Sequence, residues 1–79
     1  MTMHDLIMPD LEMPDTPARL TLWLVPCGSR VSEGEPIAEI LAGPVTVDLS
    51  APADGILRET LVAEDDLVEP GQRLAVVEE

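Results

Sequence analysis

Apolar and polar residues alternate with a period of two along most of the chain, which predicts short strands. The clearest case is a hairpin. Residues 36–41 and 45–49 form two apolar runs, and in the second Val45, Val47 and Leu49 alternate with Thr46, Asp48 and Ser50. Between them lies the tip Ala42-Gly43-Pro44-Val45. Proline bars the right-handed helical conformation to the residue before it, and glycine is free to take positive φ. The tip is therefore a II′-type turn with Gly43 first, or a turn with a cis bond before Pro44.

The rest of the chain reads in the same way. Leu6-Ile7-Met8 is a short strand stopped by Pro9-Asp10, and residues 11–18, with Pro14 and Pro17, are a surface loop. Residues 19–25 are a strand with Leu20, Leu22 and Leu24 on one face and Thr21, Trp23 and Val25 on the other. Turns are expected at 26–29, 32–35, 63–66 and 69–72, with a turn signal at Asp54-Gly55. Val31, residues 56–62 and residues 74–77 supply the remaining strands. No apolar stripe of period 3.6 survives between the breakers, so no helix is expected.

The pattern also repeats. Val31-Ser-Glu-Gly34-Glu-Pro-Ile37-Ala38-Glu-Ile40 matches Val68-Glu-Pro-Gly71-Gln-Arg-Leu74-Ala75-Val-Val77, every number rising by 37. At the same offset Leu24-Val25 matches Leu61-Val62, and Leu20 matches Leu57. Two copies of a strand–turn–strand unit predict an all-β domain over residues 1–79, with halves at about 6–41 and 45–79. Each half contributes to two small antiparallel sheets that share one core, in a sandwich with pseudo-two-fold symmetry.

Composition narrows the function. The 79 residues carry a net charge of −12, which disfavours nucleic acid and anionic membrane surfaces as partners. No run approaches a membrane span, and the start Met1-Thr-Met-His-Asp lacks the basic and apolar regions of a signal peptide, so a cytoplasmic protein is expected. The four basic residues are Arg19, Arg30, Arg58 and Arg73. With no lysine present, no side-chain amine can be acylated, biotinylated or lipoylated.

The ordered motifs resemble the biotinyl/lipoyl carrier domain, and most closely the lipoyl domains of 2-oxo acid dehydrogenase acyltransferases. The carrying residues are Met8-Pro9-Asp10-Leu11, Trp23-Leu24-Val25 with Gly28, and Val31-x-x-Gly34-x-Pro36-Ile37-Ala38-Glu39-Ile40. They continue with Ala51-Pro52-Ala53-Asp54-Gly55 and Val68-x-x-Gly71-x-x-Leu74-Ala75-Val76-Val77. The resemblance implies a flattened barrel of two sheets, with an aromatic at Trp23 covering the core. In the family the hairpin tip is Glu-Thr-Asp-Lys-Ala and its lysine carries lipoate. Here Leu41-Ala42-Gly43-Pro44-Val45 stands in its place, with Pro44 at the lysine and Gly43 at the aspartate. The family's glycine-rich first loop lies beside that hairpin and helps partner enzymes recognise the domain. Here it reads Leu11-Glu12-Met13-Pro14-Asp15, with Glu12 and Pro14 replacing two glycines. The resemblance thus implies a degenerate carrier domain with no lipoate, biotin or other cofactor.

Other residues give weak chemical signals. Cys27 has no neighbouring cation or histidine in sequence and reads as a passive turn thiol. His4 with Asp5 and Asp10 lacks metal-ligand spacing, and Glu64-Asp65-Asp66 lacks the alternating ligands of a calcium loop. Glu33, Glu35 and Glu39 read as exposed positions. No catalytic set can be assembled, so the domain is expected not to be an enzyme. The expected function is a binding or structural module docking on dehydrogenase, acyltransferase or carboxylase subunits through Glu12, Met13, Pro14, Asp15, Ala42, Gly43 and Pro44. The alternative is a duplicate or fragment of an acyltransferase carrier component, for which a partner would supply the lipoyl arm. A transport-adaptor module ranks last, because such modules carry a long helical hairpin between the halves where this chain has a tight turn. No Ala/Pro-rich tail flanks the motifs, which points to a free-standing protein.

Overall fold

The computed structural model describes residues 1–79 as eight strands and no helix. The strands are β1 (Met3–Ile7), β2 (Ala18–Trp23), β3 (Arg30–Val31), β4 (Pro36–Ala42), β5 (Val45–Ser50), β6 (Gly55–Thr60), β7 (Leu67–Val68) and β8 (Arg73–Glu78). They form two four-stranded antiparallel sheets, ordered β1-β8-β6-β3 and β5-β4-β2-β7. The expected all-β sandwich of two small sheets is the fold observed. With no helix there is none long and apolar enough to cross a membrane.

The sequence repeat is a repeat of structure. Adding 37 carries β2 and β3 onto β6 and β7 residue for residue, and the first residue of β4 onto that of β8. It also carries the connecting hydrogen bonds. Gly28 N–H donates to the Leu57 carbonyl at 2.7 Å, and Asp65 N–H to that of Leu20 at 2.7 Å. The four turns expected at 26–29, 32–35, 63–66 and 69–72 are each closed by a hydrogen bond from the fourth residue to the first. Each half therefore contributes strands to both sheets, and 16 buried residues form the shared core. Leu20, Ile37, Ile40, Leu57, Leu74 and Val77 are fully buried at its centre.

β-Bulges explain where the alternation misleads. Leu20 pairs with Ile40 and Leu22 with Glu39, so Thr21 is an extra residue that shifts the phase of β2. Leu20 stays inside, but Leu22 and Leu24 turn outward while Trp23 and Val25 pack against the core. The expectation that Leu20, Leu22 and Leu24 share one face is thereby corrected. The bulge is held by Thr21 Oγ1, which donates to Glu39 Oε1 at 2.8 Å, so Glu39 is half-buried rather than exposed. The corresponding bulge of β6 falls at Arg58, again 37 residues on.

Other differences are local. Gly55 opens β6 instead of forming a turn, because the Glu78 carbonyl passes too close for any side chain there. β7 was not expected as a strand, since its two residues lie between turn signals. β1 ends at Ile7, yet Met8 beyond it is buried, with its N–H donating to Gln72 and its carbonyl accepting from Gly71. Trp23 leans over the core, and its Nε1–H donates to the Val62 carbonyl at 3.1 Å.

Candidate functional site

The internal symmetry shows which part of the chain exceeds what the fold requires. Met8 and Ala51 are equivalent: the N–H of one bonds Gln72 and of the other Glu35, and their carbonyls accept from Gly71 and Gly34. Ala18 and Gly55, which begin β2 and β6, are equivalent too. Three residues separate Ala51 from Gly55, whereas nine separate Met8 from Ala18. The first loop thus carries six residues that its counterpart manages without.

Local geometry organises these extra residues. Glu12 is one of two non-glycine residues at positive φ (60°), a conformation costing on the order of 1 kcal/mol for an L-residue. Its N–H is satisfied by Asp10 Oδ1 at 2.8 Å. A turn follows, closed by Thr16 N–H donating to the Met13 carbonyl at 3.1 Å. Leu11 and Met13 face inward and pack, half-buried, against the core, while Glu12, Pro14 and Asp15 stay exposed.

The loop lies against the hairpin tip. All peptide bonds are trans, and Gly43 has φ +58°, as the first central residue of a II′ turn requires. The alternative of a cis bond before Pro44 is therefore not what closes the hairpin. A Cβ built on Gly43 would stand 3.2 Å from Thr16 Cγ2, so tip and loop are in contact. Burial along β5 falls towards the tip: Leu49 is buried, Val47 half-buried and Val45 exposed. Gly43 and Pro44 are exposed at the end of this projection, whereas Ala42 points inward opposite Ala18 and is only 1 % exposed. Ala42 thus belongs to the wall under the surface rather than to the surface itself.

The loop, Ala42 at the end of β4 and the chain from Val68 to Pro70 line a groove of about 480 Å³. Met13, Pro14, Asp15 and Ala42 of the expected surface line it, and Glu12, Gly43 and Pro44 do not. Thr16, within the expected contact loop of residues 11–18, bridges to the tip, and the sequence reading missed the far wall of Val68, Glu69 and Pro70. The repeat had already matched Val68 to Val31, but no sequence signal set it opposite the loop.

The tip has no reactive side chain, since Gly43 carries none and Pro44 offers only its ring. The weaker candidates are occupied with structural tasks. His4 Nε2 pairs with Glu79 at 2.7 Å, and Asp5 with Arg73 at 3.1 Å. Glu64 accepts from Trp23 N–H, Asp66 from Ala63 N–H, and the Asp65 carbonyl from Arg19. The exposed Cys27 thiol donates to the Arg58 carbonyl at 3.2 Å. No three His, Cys, Asp or Glu side chains converge as a metal site, and every buried side-chain nitrogen and oxygen has a partner.

Comparison with known proteins agrees with this architecture. A family model described as "Biotin-requiring enzyme" matches residues 4–77. The succinyltransferase component of the 2-oxoglutarate dehydrogenase complex of Staphylococcus saprophyticus is 36 % identical over 77 residues, covering 91 % of this chain and 18 % of that protein. The acetyltransferase component of the pyruvate dehydrogenase complex of Corynebacterium glutamicum is 31 % identical, over 89 % of this chain and 10 % of its own length. The chain thus spans a fifth or less of these relatives. The solution structure of the lipoyl domain of the Azotobacter vinelandii 2-oxoglutarate dehydrogenase complex superposes with a TM-score of 0.77 at 27 % identity, covering 95 % of both chains. The chain belongs to the biotin/lipoyl family, and is closely similar to the lipoyl domains of 2-oxo acid dehydrogenase acyltransferases.

Proposed function

We propose that this domain is a lipoyl-type fold that no longer carries an acyl group and acts as a non-catalytic, cytoplasmic binding module. Its docking surface is the loop of residues 11–18 together with the tip at Gly43 and Pro44, and its partners are subunits of a 2-oxo acid dehydrogenase, acyltransferase or carboxylase assembly. The observation that carries this reading is the tip. Attachment of lipoate or biotin through an amide needs a side-chain amine on the protruding turn. Gly43 and Pro44 supply none, and the sequence holds no lysine in any other register. The residues at the tip therefore do not fit either group. Retention of the fold and of a longer-than-required loop against that blank tip supports a role in binding rather than carriage.

A second reading has one observation in its favour. The relatives are acyltransferase components of which this chain matches a small part. A duplicate or fragment of such a component would work beside a domain that still bears the arm. Affinity capture of the tagged protein from its own cells, read by mass spectrometry, tests the first reading. Dehydrogenase, acyltransferase or carboxylase subunits should be recovered, and Met13→Glu, in a variant shown by its melting curve to be folded, should lose them. Capture that is empty, or indifferent to Met13→Glu, overturns it.

A further inference from the structure

We infer that the groove between the first loop and β7 receives a basic peptide segment of the partner, one that sets an aliphatic side chain between arginines or lysines. This rests on the binding-module reading and adds the chemistry of what is bound. The residues beneath the groove are apolar and well packed: Met8 is 2 % exposed, Ala42 1 % and Val68 3 %. Leu11 and Met13 form the near wall, and a methionine's flexible thioether adapts to aliphatic shapes. About 480 Å³ is too large for one side chain and suits a short peptide stretch.

Charge selects among apolar ligands. The rim is Asp10, Asp15 and Glu69, and no arginine lines the groove. Asp10 caps the Glu12 N–H, while the carboxylates of Asp15 and Glu69 have neither an ion-pair nor a hydrogen-bond partner. Three of the four arginines have partners elsewhere: Arg19 donates to the Asp65 backbone carbonyl, Arg58 pairs with Glu78 and Arg73 with Asp5. The fourth, Arg30, sits on the other sheet. The rim field is thus uncompensated within a chain of net charge −12. An acidic ligand is repelled, and a neutral one leaves the rim unused. A basic ligand is steered in and held at both edges.

The test is amide chemical-shift mapping of the whole protein with a terminally blocked peptide of alternating arginine and leucine. Two control peptides replace its arginines by glutamates, or its leucines by serines. Shifts should concentrate at Leu11, Met13, Thr16, Ala42 and Val68, and both controls should bind at least about tenfold more weakly. The folded double variant Asp15→Asn, Glu69→Gln should weaken binding about tenfold, the loss expected from removing two exposed charge contacts. Equal binding of either control, equal binding by the double variant, or shifts scattered over the whole acidic surface overturns the inference. Repeating the cellular capture with the double variant separates the two ideas. Loss of the subunits that Met13→Glu loses supports the inference. Retention of them overturns it and leaves the module reading standing, and an empty capture with the wild-type chain removes both.

Discussion

Gly55→Ala tests the close approach of β6 to β8, on which the β1-β8-β6-β3 sheet depends. The added Cβ would lie 2.2 Å from the Glu78 carbonyl oxygen, 2.8 Å from its carbon and 3.1 Å from Glu79 Cα. All three obstacles are backbone, so no side-chain rotation relieves them, and β8 must move by about 1 Å where it pairs with Ile56. Overpacking costs about 1–3 kcal/mol, and a backbone obstacle places this case near the top, at about 3 kcal/mol. For a domain of this size that lowers the melting temperature by about 12–24 °C. The symmetry supplies the control. Ala18, the equivalent residue of β2, already carries a Cβ facing Ala42, and Ala18→Gly should cost only about 1 kcal/mol. The assay is thermal unfolding of both variants followed by circular dichroism. A Gly55→Ala domain melting within about 4 °C of the wild type, or above Ala18→Gly, would refute the reasoning.

Two further predictions address the shared core and the tip. Leu20 and Leu57 are symmetry-related and both fully buried, so alanine at either should cost about 2–5 kcal/mol, and chemical denaturation should give losses within about 1 kcal/mol of each other. A gap above about 2 kcal/mol would contradict the common core. The double change Gly43→Asp, Pro44→Lys places an aspartate at φ +58° against Thr16, at about 1 kcal/mol, and gives up about 0.4–1 kcal/mol of proline rigidity. It should fold with a melting point roughly 5–15 °C lower and accept lipoate from a lipoate ligase, read as intact mass. A folded variant left unmodified would mean that the loop no longer presents the surface a ligase reads.

The sequence made the fold legible because its signals agreed with one another. The Val31 and Val68 motifs, the turn residues and the blank tip at Gly43-Pro44 all point to one symmetric sandwich. What it hid were the places where backbone geometry overrides alternation. Thr21 gives no sign of being a bulge, because its oxygen's partner, Glu39, lies on another strand. Gly55 reads as a turn glycine, since a carbonyl passing overhead leaves no mark on its neighbours. The first loop was legible as a candidate surface, and its proline content concealed that Leu11 and Met13 face inward. The groove stayed hidden because its far wall, Val68, Glu69 and Pro70, is more than fifty residues away.

The meeting of the chain's two ends has a mechanical consequence. Thr2 N–H donates to the Glu79 carbonyl, and Glu79 N–H to the Thr2 carbonyl at 2.8 Å, at the end of the β1–β8 ladder away from the Ile7–Arg73 pair. Tension applied at residues 2 and 79 acts across neighbouring antiparallel strands, along the direction of their hydrogen bonds. These then carry the load one at a time and part like a zipper instead of shearing together. Pulled in this way the domain should yield at low force, starting at Thr2 and Glu79. Tension applied through the Gly43-Pro44 tip and either end would instead load both sheets through the shared core.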